Sequence, residues 1–336
     1  MRRLRYTWVV LLLFFVPFGD VVGLQTSHIP TFDGTNAMMH LIQQCDFGPR
    51  PPGSHNLTLS RLYIISVLES FGWQVTLQNF TYLGVECTNI IGRWGHVNNA
   101  SVILGAHYDT RPHADEDPDP ANWTLPVLGA NDGASGTAVL LELSRVLPES
   151  VRSSVEIVFF DAEDSGGLSG WDWILGSTHY VQQLSSSRKE EVYAMILLDM
   201  VGDENLRLLR ETSSTRSLQD TVWSLAANMG HDEIFIDTLG GGVFDDHWPF
   251  LDAGIPALNI VHHNPFPAYW HTLEDTPDKC NATSLQVVGQ VVETFIVDEL
   301  DVDTTFSPNP PDYISIALLV VPPIVLIGAI MASRRR

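Results

Sequence analysis

Four short apolar runs in this chain each end in imidazole or carboxylate, and that recurrence constrains the fold more than any other feature. "VILGA" (102–106) leads to His107 and Asp109, and "VEIVFF" (155–160) to Asp161, Glu163 and Asp164. "AMILL" (194–198) leads to Asp199 and Asp203, and "PALNIV" (256–261) to His262 and His263 in a loop that reaches His271. Runs this short and apolar read as strands buried on both faces. Helical patterns fall between and around them. These are 57–71, with Leu59, Leu62, Ile65 and Leu68 on one side and Gly72 past its end, then 134–147, then 217–229 ending at Gly230, and 284–300 begun by Thr283 or Ser284. The alternation predicts an α/β fold with a sheet covered on both faces. In such sheets a site forms beyond the carboxyl ends of the strands, which is where these polar residues fall. Asp132, in the glycine-rich "GANDGASG" that opens the helix at 134–147, is a fifth contribution.

Imidazole and carboxylate without thiolate suit catalytic zinc rather than a structural site. His107 and Asp109 lie two apart, on one side of an extended chain, so Asp109 can accept the second ring N–H and fix the tautomer. A lone surface His–Asp pair is the competing reading. Glu163 and Asp164 are neighbours whose side chains diverge, so one can bind metal while the other serves as general base. Here the alternative is a solvated acidic turn. Asp132 has a rival role as helix N-cap, and Asp199 as a simple strand end. Asp161, Asp203 and Asp246 read as supporting or exposed; His262, His263 and His231 receive no role. Trp171, Trp173, Trp248, Phe266, Tyr269 and Trp270 are either core or the lining of a small pocket.

A net charge of −22 argues against a nucleic-acid partner, whose phosphates need a basic face. Residues 1–23 carry Arg2, Arg3 and Arg5, an apolar run, then Val21 and Gly23, the layout of a cleaved signal peptide, with an uncleaved anchor as alternative. Polar, Pro-rich 301–313 reads as a stalk, 314–332 as a transmembrane helix and 333–336 as a cytoplasmic tail. Together they predict a single-pass type I membrane protein, at the cell surface or in the secretory pathway, with its domain at 24–300 outside. Sequons at Asn56, Asn79, Asn99, Asn122 and Asn281 agree with a glycoprotein. Three cysteines, Cys45, Cys87 and Cys280, allow at most one disulfide.

"HYDTRP", "GANDGASGTAVLLELSR", "FFDAEDSGG", "LLDMVGD" and "YWHTLEDTPDK" resemble, in this order, the zinc aminopeptidase superfamily that also contains the glutaminyl-peptide cyclotransferases. "FGPRPPGS" (47–54) and "NIIG" (89–92) extend the likeness, which covers about residues 40–297. The resemblance implies a three-layer α/β/α sandwich around a mostly parallel central sheet, as a single catalytic domain. It also implies that Asp132, Asp164 and His271 hold one zinc, that His107 and Asp199 complete a second site in a peptidase, and that Glu163 is the general acid/base. "DDHWPFL" (245–251), "PFPAYWHT" and a Trp-bearing insertion after Asp164 resemble the cyclases in particular. In that pattern Phe266 and Trp270 shape the pocket, with Trp171 and Trp173 from the insertion, and Asp199 and Asp245 share protons. The expected activity is then conversion of N-terminal glutamine of peptides or proteins to pyroglutamate with one zinc; the alternative is an aminopeptidase with two. Asp164 stands where cyclases usually have Glu, Asn259 where they tend to have His, and the spacing from "GIP" to "WHT" is one residue longer. "GANDGASG" itself is more like a peptidase.

Overall fold

The computed structural model describes residues 28–95 and 100–301, and in it the four apolar runs form four adjacent strands of one sheet. Its strands are β1 (Gln74–Tyr82), β2 (Val85–Arg93), β3 (Val102–His107), β4 (Val155–Phe160), β5 (Ala194–Asp199) and β8 (Ala257–Val261). A separate parallel pair, β6 (Leu208–Glu211) and β7 (Phe235–Gly241), lies between β5 and β8 in the chain. The sheet order is β1-β2-β4-β3-β5-β8. The four adjacent strands β4, β3, β5 and β8 are parallel, with β8 at one edge of the sheet, and the β1–β2 hairpin adds the other, antiparallel edge beside β4. No apolar run announces that hairpin, because β1 is a half-exposed edge strand in which polar Gln, Thr and Asn alternate with apolar residues.

The helices are α1 (Gly34–Asp46), α2 (His55–Ser70), α3 (Ala134–Val146), α4 (Glu149–Arg152), α5 (Leu175–Gln182), α6 (Ser186–Glu191), α7 (Arg216–Asn228), α8 (Trp248–Asp252) and α9 (Ala282–Asp301). Successive side chains on a strand face opposite ways, so each central strand feeds two cores. Val102, Leu104, Ile157, Phe159, Ile196, Leu198 and Leu258 meet α1, α3, α7 and α9 on one face. Ile103, Val158, Phe160, Met195, Leu197 and Ala257 meet Tyr180 and Val181 of α5 and Phe250 of α8 on the other. The architecture is therefore the three-layer α/β/α sandwich around a mostly parallel sheet, in one domain. Because strand order reverses direction around β3, the carboxyl ends of β3, β4, β5 and β8 surround a common crevice.

The membrane assignment is corrected. Among the described residues no helix is long and apolar enough to cross a bilayer, so the structure provides no span for a single-pass type I protein or for the cell-surface placement built on it. The 20-residue α9, the longest helix described, packs Leu285, Val288, Val291, Val292, Phe295 and Ile296 into the core instead. The segments read as signal peptide (1–23), stalk beyond Asp301, transmembrane helix (314–332) and tail (333–336), and the sequon at Asn99, lie outside the described residues.

Candidate active site

His107 is the last residue of β3, and its ring lies against the loop that leads into α3. A Cβ on Gly133 would meet that ring at 2.4 Å, so the loop needs glycine there. Asp132 does not cap α3, whose first turn has no side-chain cap. Instead its two carboxylate oxygens divide. Oδ1 lies 3.0 Å from His107 Nε2, and Oδ2 lies 3.7 Å from His271 Nε2. Burial would raise Asp132, but the two imidazoles outweigh it and hold the carboxyl below its usual range.

Two triads share that carboxylate: His107, Asp132 and Asp199, and Asp132, Asp164 and His271, all five residues buried, with the ligand atoms of each triad within 4.8 Å of one another. His107 Nε2 is 3.2 Å from Asp199 Oδ1, and His271 Nε2 is 3.1 Å from Asp164 Oδ1. Neighbouring ligand atoms on tetrahedral zinc, at metal bonds of about 2.0–2.1 Å, are separated by about 3.3 Å. The triads differ in how their atoms are already satisfied. His107 Nε2 is hydrogen-bonded to Asp199, and Asp164 Oδ1 faces His271 and Arg111, whereas Oδ2 of buried Asp164 accepts no hydrogen bond from any described residue. A buried acceptor left this way calls for a cation, so the residues present fit a metal best at Asp132, Asp164 and His271.

The strand ends turn sharply to aim these groups. Ala162, Met200 and His271 all adopt left-handed backbone angles (φ 59°, 47° and 54°), a strain that side-chain packing must hold. Asp109 does more than face His107 Nδ1 at 3.5 Å. Its oxygens also accept the backbone N–H of Glu163 (3.1 Å) and of Asp164 (3.2 Å), joining the ends of β3 and β4. Glu163 points into the crevice, and burial pushes its carboxyl well above the usual range. Burial, then the neighbouring Asp245, pushes Asp199 up to about 8. Asp245 is fixed by Asn259, whose Nδ2 donates to Oδ2 at 2.7 Å, and by the backbone N–H of Asp246 at 2.6 Å.

These groups line a cavity of about 270 Å³ that holds five carboxylates, from Asp132, Glu163, Asp164, Asp199 and Asp245, beside one imidazole, His271. Phe266, Trp270 and Trp173 complete it with Met200, Val243 and Phe244. The rings are nearly parallel. Phe266 stacks on Trp270 (4.6 Å), Trp270 on His271 (3.6 Å), and Trp173 faces His271 from 6.3 Å at an interplanar angle of 12°. Trp171 is not part of this wall; its ring packs against Tyr82 at 5.3 Å.

Of the two readings left open for Asp161, supporting or exposed, the burial excludes the second: it is fully buried and accepts Thr88 N–H (2.7 Å) and Tyr108 O–H (3.3 Å). Other residues were not singled out by the sequence. Asp275, inside the "YWHTLEDTPDK" motif, accepts the backbone N–H of Asn131 (2.8 Å) and Asp132 (3.1 Å) and so sets the bridging carboxylate. Arg111 and Asp115 stand behind Asp164 and His271. Asp275 and Arg111 were hinted at only by their places inside the motifs, and Asp115 by nothing.

Burial, then the Asp109 carboxylate, pushes Asp161 up to about 7, above its ordinary 3.8. A carboxyl raised on folding contributes stability that is complete below the unfolded value and lost as pH rises through the folded one. Asp161→Asn mimics the protonated form. Thermal unfolding should therefore show a small gain at pH 5, already above the unfolded value, and a larger gain, of at least about 2–4 °C, at pH 8. Equal midpoints at both values would mean that Asp161 is not titrating in the native state.

Residues 89–296 match the family model described as peptidase family M28. Over 286 residues the chain is 28% identical to a glutaminyl-peptide cyclotransferase-like protein of Mus musculus, covering 75% of this chain and 72% of that one. Among solved structures it is similar to a glutaminyl cyclase from Bacteroides thetaiotaomicron bound to N-acetylhistamine, at a TM-score of 0.72 and 35% identity over 80% of this chain and 99% of the other. A Zn-dependent exopeptidase from Parabacteroides distasonis gives a TM-score of 0.73 and 32% identity over 80% and 99%.

Proposed function

This chain belongs to peptidase family M28, and on that premise we propose that it is a zinc-dependent glutaminyl-peptide cyclotransferase, acting on the N-terminal glutamine of peptides or proteins. The observation that carries the reading is the inequality of the two triads. Oδ2 of buried Asp164 has no hydrogen-bond partner among the described residues, while Asp199 is joined to His107 Nε2, an arrangement that favours one zinc at Asp132, Asp164 and His271. Burial alone would lower the His107 pKa, but contacts with Asp109, Asp132 and Asp199 hold it well above its ordinary value, as expected of an imidazolium between carboxylates. The cavity is closed by aromatic rings and suits one terminal residue rather than a length of chain. The names of the Mus musculus and Bacteroides thetaiotaomicron relatives support this reading, and that of the Parabacteroides distasonis exopeptidase the aminopeptidase alternative.

Zinc bound there would act as a Lewis acid on the γ-carbonyl of the substrate. Phe266, Trp270 and Trp173 exclude water and hold the side chain folded back toward its own amine. Glu163, whose carboxylate accepts no hydrogen bond from another described residue, takes a proton from the α-amine as its nitrogen bonds to the carbonyl carbon. It returns that proton to the amide nitrogen as the C–N bond breaks, so ammonia leaves and the ring closes. Asp199 and Asp245 lie beside that path and can share the proton in transit.

The test offers the purified protein an N-terminal glutaminyl peptide and a leucyl amide. Pyroglutamate and ammonia without free leucine are the expected products, with one zinc per chain by elemental analysis. Leucine release with two zincs would assign the aminopeptidase reading, in which His107 and Asp199 hold the second ion.

A further inference from the structure

Arg111 lies four residues past the end of β3 and is buried, only 4% exposed, with no place in the reaction described above. Its guanidinium makes three separate attachments. Nε and Nη2 grip Asp115 in a two-point fork, at 3.0 Å to Oδ1 and 2.7 Å to Oδ2. Nη1 donates to the backbone carbonyls of Asp164 (3.2 Å) and Gly166 (3.0 Å), and lies 3.7 Å from Asp164 Oδ1. Its planar face covers the Trp173 ring at 4.7 Å.

Each attachment leads to the same half of the centre. The turn at 164–166 carries the ligand Asp164, and it is pressed against Trp173, since a Cβ on Gly166 would meet that indole at 2.1 Å. Asp115 Oδ1 lies 3.6 Å from His271 Nδ1, the ring nitrogen turned away from the metal position. Trp173 forms the parallel wall facing the His271 ring. Carboxylates behind a ligating imidazole orient it and raise its basicity. A cation 3.7 Å from a ligand oxygen repels a metal dication, so charge alone would make Arg111 a liability.

We propose that Arg111 is a positioning residue that builds the Asp164–His271 half of the zinc site, and that its rigid fork, rather than its charge, is what the site requires. The proposal rests on the zinc assignment above. Lys keeps the charge but presents a compact ammonium on a flexible stem, which cannot hold Asp115, two carbonyls and an indole at once.

The test is zinc affinity by chelator competition, without substrate, on the full-length wild type and on Arg111→Lys and Arg111→Met. Both variants should bind zinc about 10–100-fold more weakly, the range for loss of an outer partner, with Lys giving no rescue. The unfolding midpoint of the zinc-free protein shows whether each variant is folded. Wild-type affinity in folded Arg111→Lys would overturn the requirement for the fork, and tighter binding in Arg111→Met would make the charge dominant. If neither variant folds, Asp115→Asn decides the matter. Its side chain is one-third exposed, and it should weaken zinc at least 10-fold; unchanged affinity would remove the arm to His271. A wild type that binds no zinc would instead sink the metal assignment itself.

Discussion

His271→Ala is expected to lose its zinc and to fall to background turnover while remaining folded. The ring supplies the only imidazole of the triad it forms with Asp132 and Asp164, so its removal leaves two carboxylates facing each other. Outer partners of a metal ligand are worth about 10–100-fold in affinity, and loss of a ligand itself should exceed that range. Position 271 also carries a left-handed backbone angle (φ 54°), and the ring fills the gap between Trp270 and Trp173. Alanine removes both the ligand and the filler. His271→Asn is therefore the necessary companion, because asparagine tolerates that backbone region better. If both variants lose zinc with near-native unfolding midpoints, ligation is the cause. Zinc retained at wild-type stoichiometry in either would mean that His271 is not a ligand.

The strands that carry the site were legible because burial on both faces requires uninterrupted apolar runs, and each run ended where β3, β4, β5 and β8 end. That pattern put His107, Glu163, Asp164 and Asp199 at the crevice, while their roles came from the resemblance to a family. His271 and Asp132 lie on loops, and their ligand roles rested on the resemblance to a family rather than on any periodicity. Asp132 shows the limit well: an Asp before an apolar helix is a good N-cap, and only the fold reveals its oxygens turned to two imidazoles. The β1–β2 hairpin escaped because a half-exposed edge strand has no run to show. Arg111 and Asp275 escaped for a different reason: their partners include backbone groups that three-dimensional proximity supplies and spacing does not. The terminal apolar segment read as a membrane span on length and charge, properties of sequence that the described helices do not share.

Glu163→Gln is expected to bind zinc normally and to lose about 10²–10⁴-fold in turnover, the usual worth of a positioned general acid–base. Glutamine keeps the shape of the side chain and its place in the cavity, and Glu163 lies in neither triad, so the metal site should be untouched. The pH profile sharpens the test. A base works when deprotonated, so activity rises as pH rises through its pKa. Burial sets the Glu163 carboxyl well above its ordinary range, and this moves the acid limb of the profile toward neutrality. In Glu163→Gln that limb should vanish, leaving residual turnover flat on the acid side. Glu163→Asp should keep the limb but lose rate, because retracting the carboxylate by one methylene moves it about 1 Å or more from the proton it must carry, a displacement that can cost about 10²-fold. Turnover in Glu163→Gln within tenfold of wild type, with the acid limb intact, would transfer the proton to another group. Asp199 would then be the first to test, since it lines the same cavity and burial already holds its proton to about pH 8.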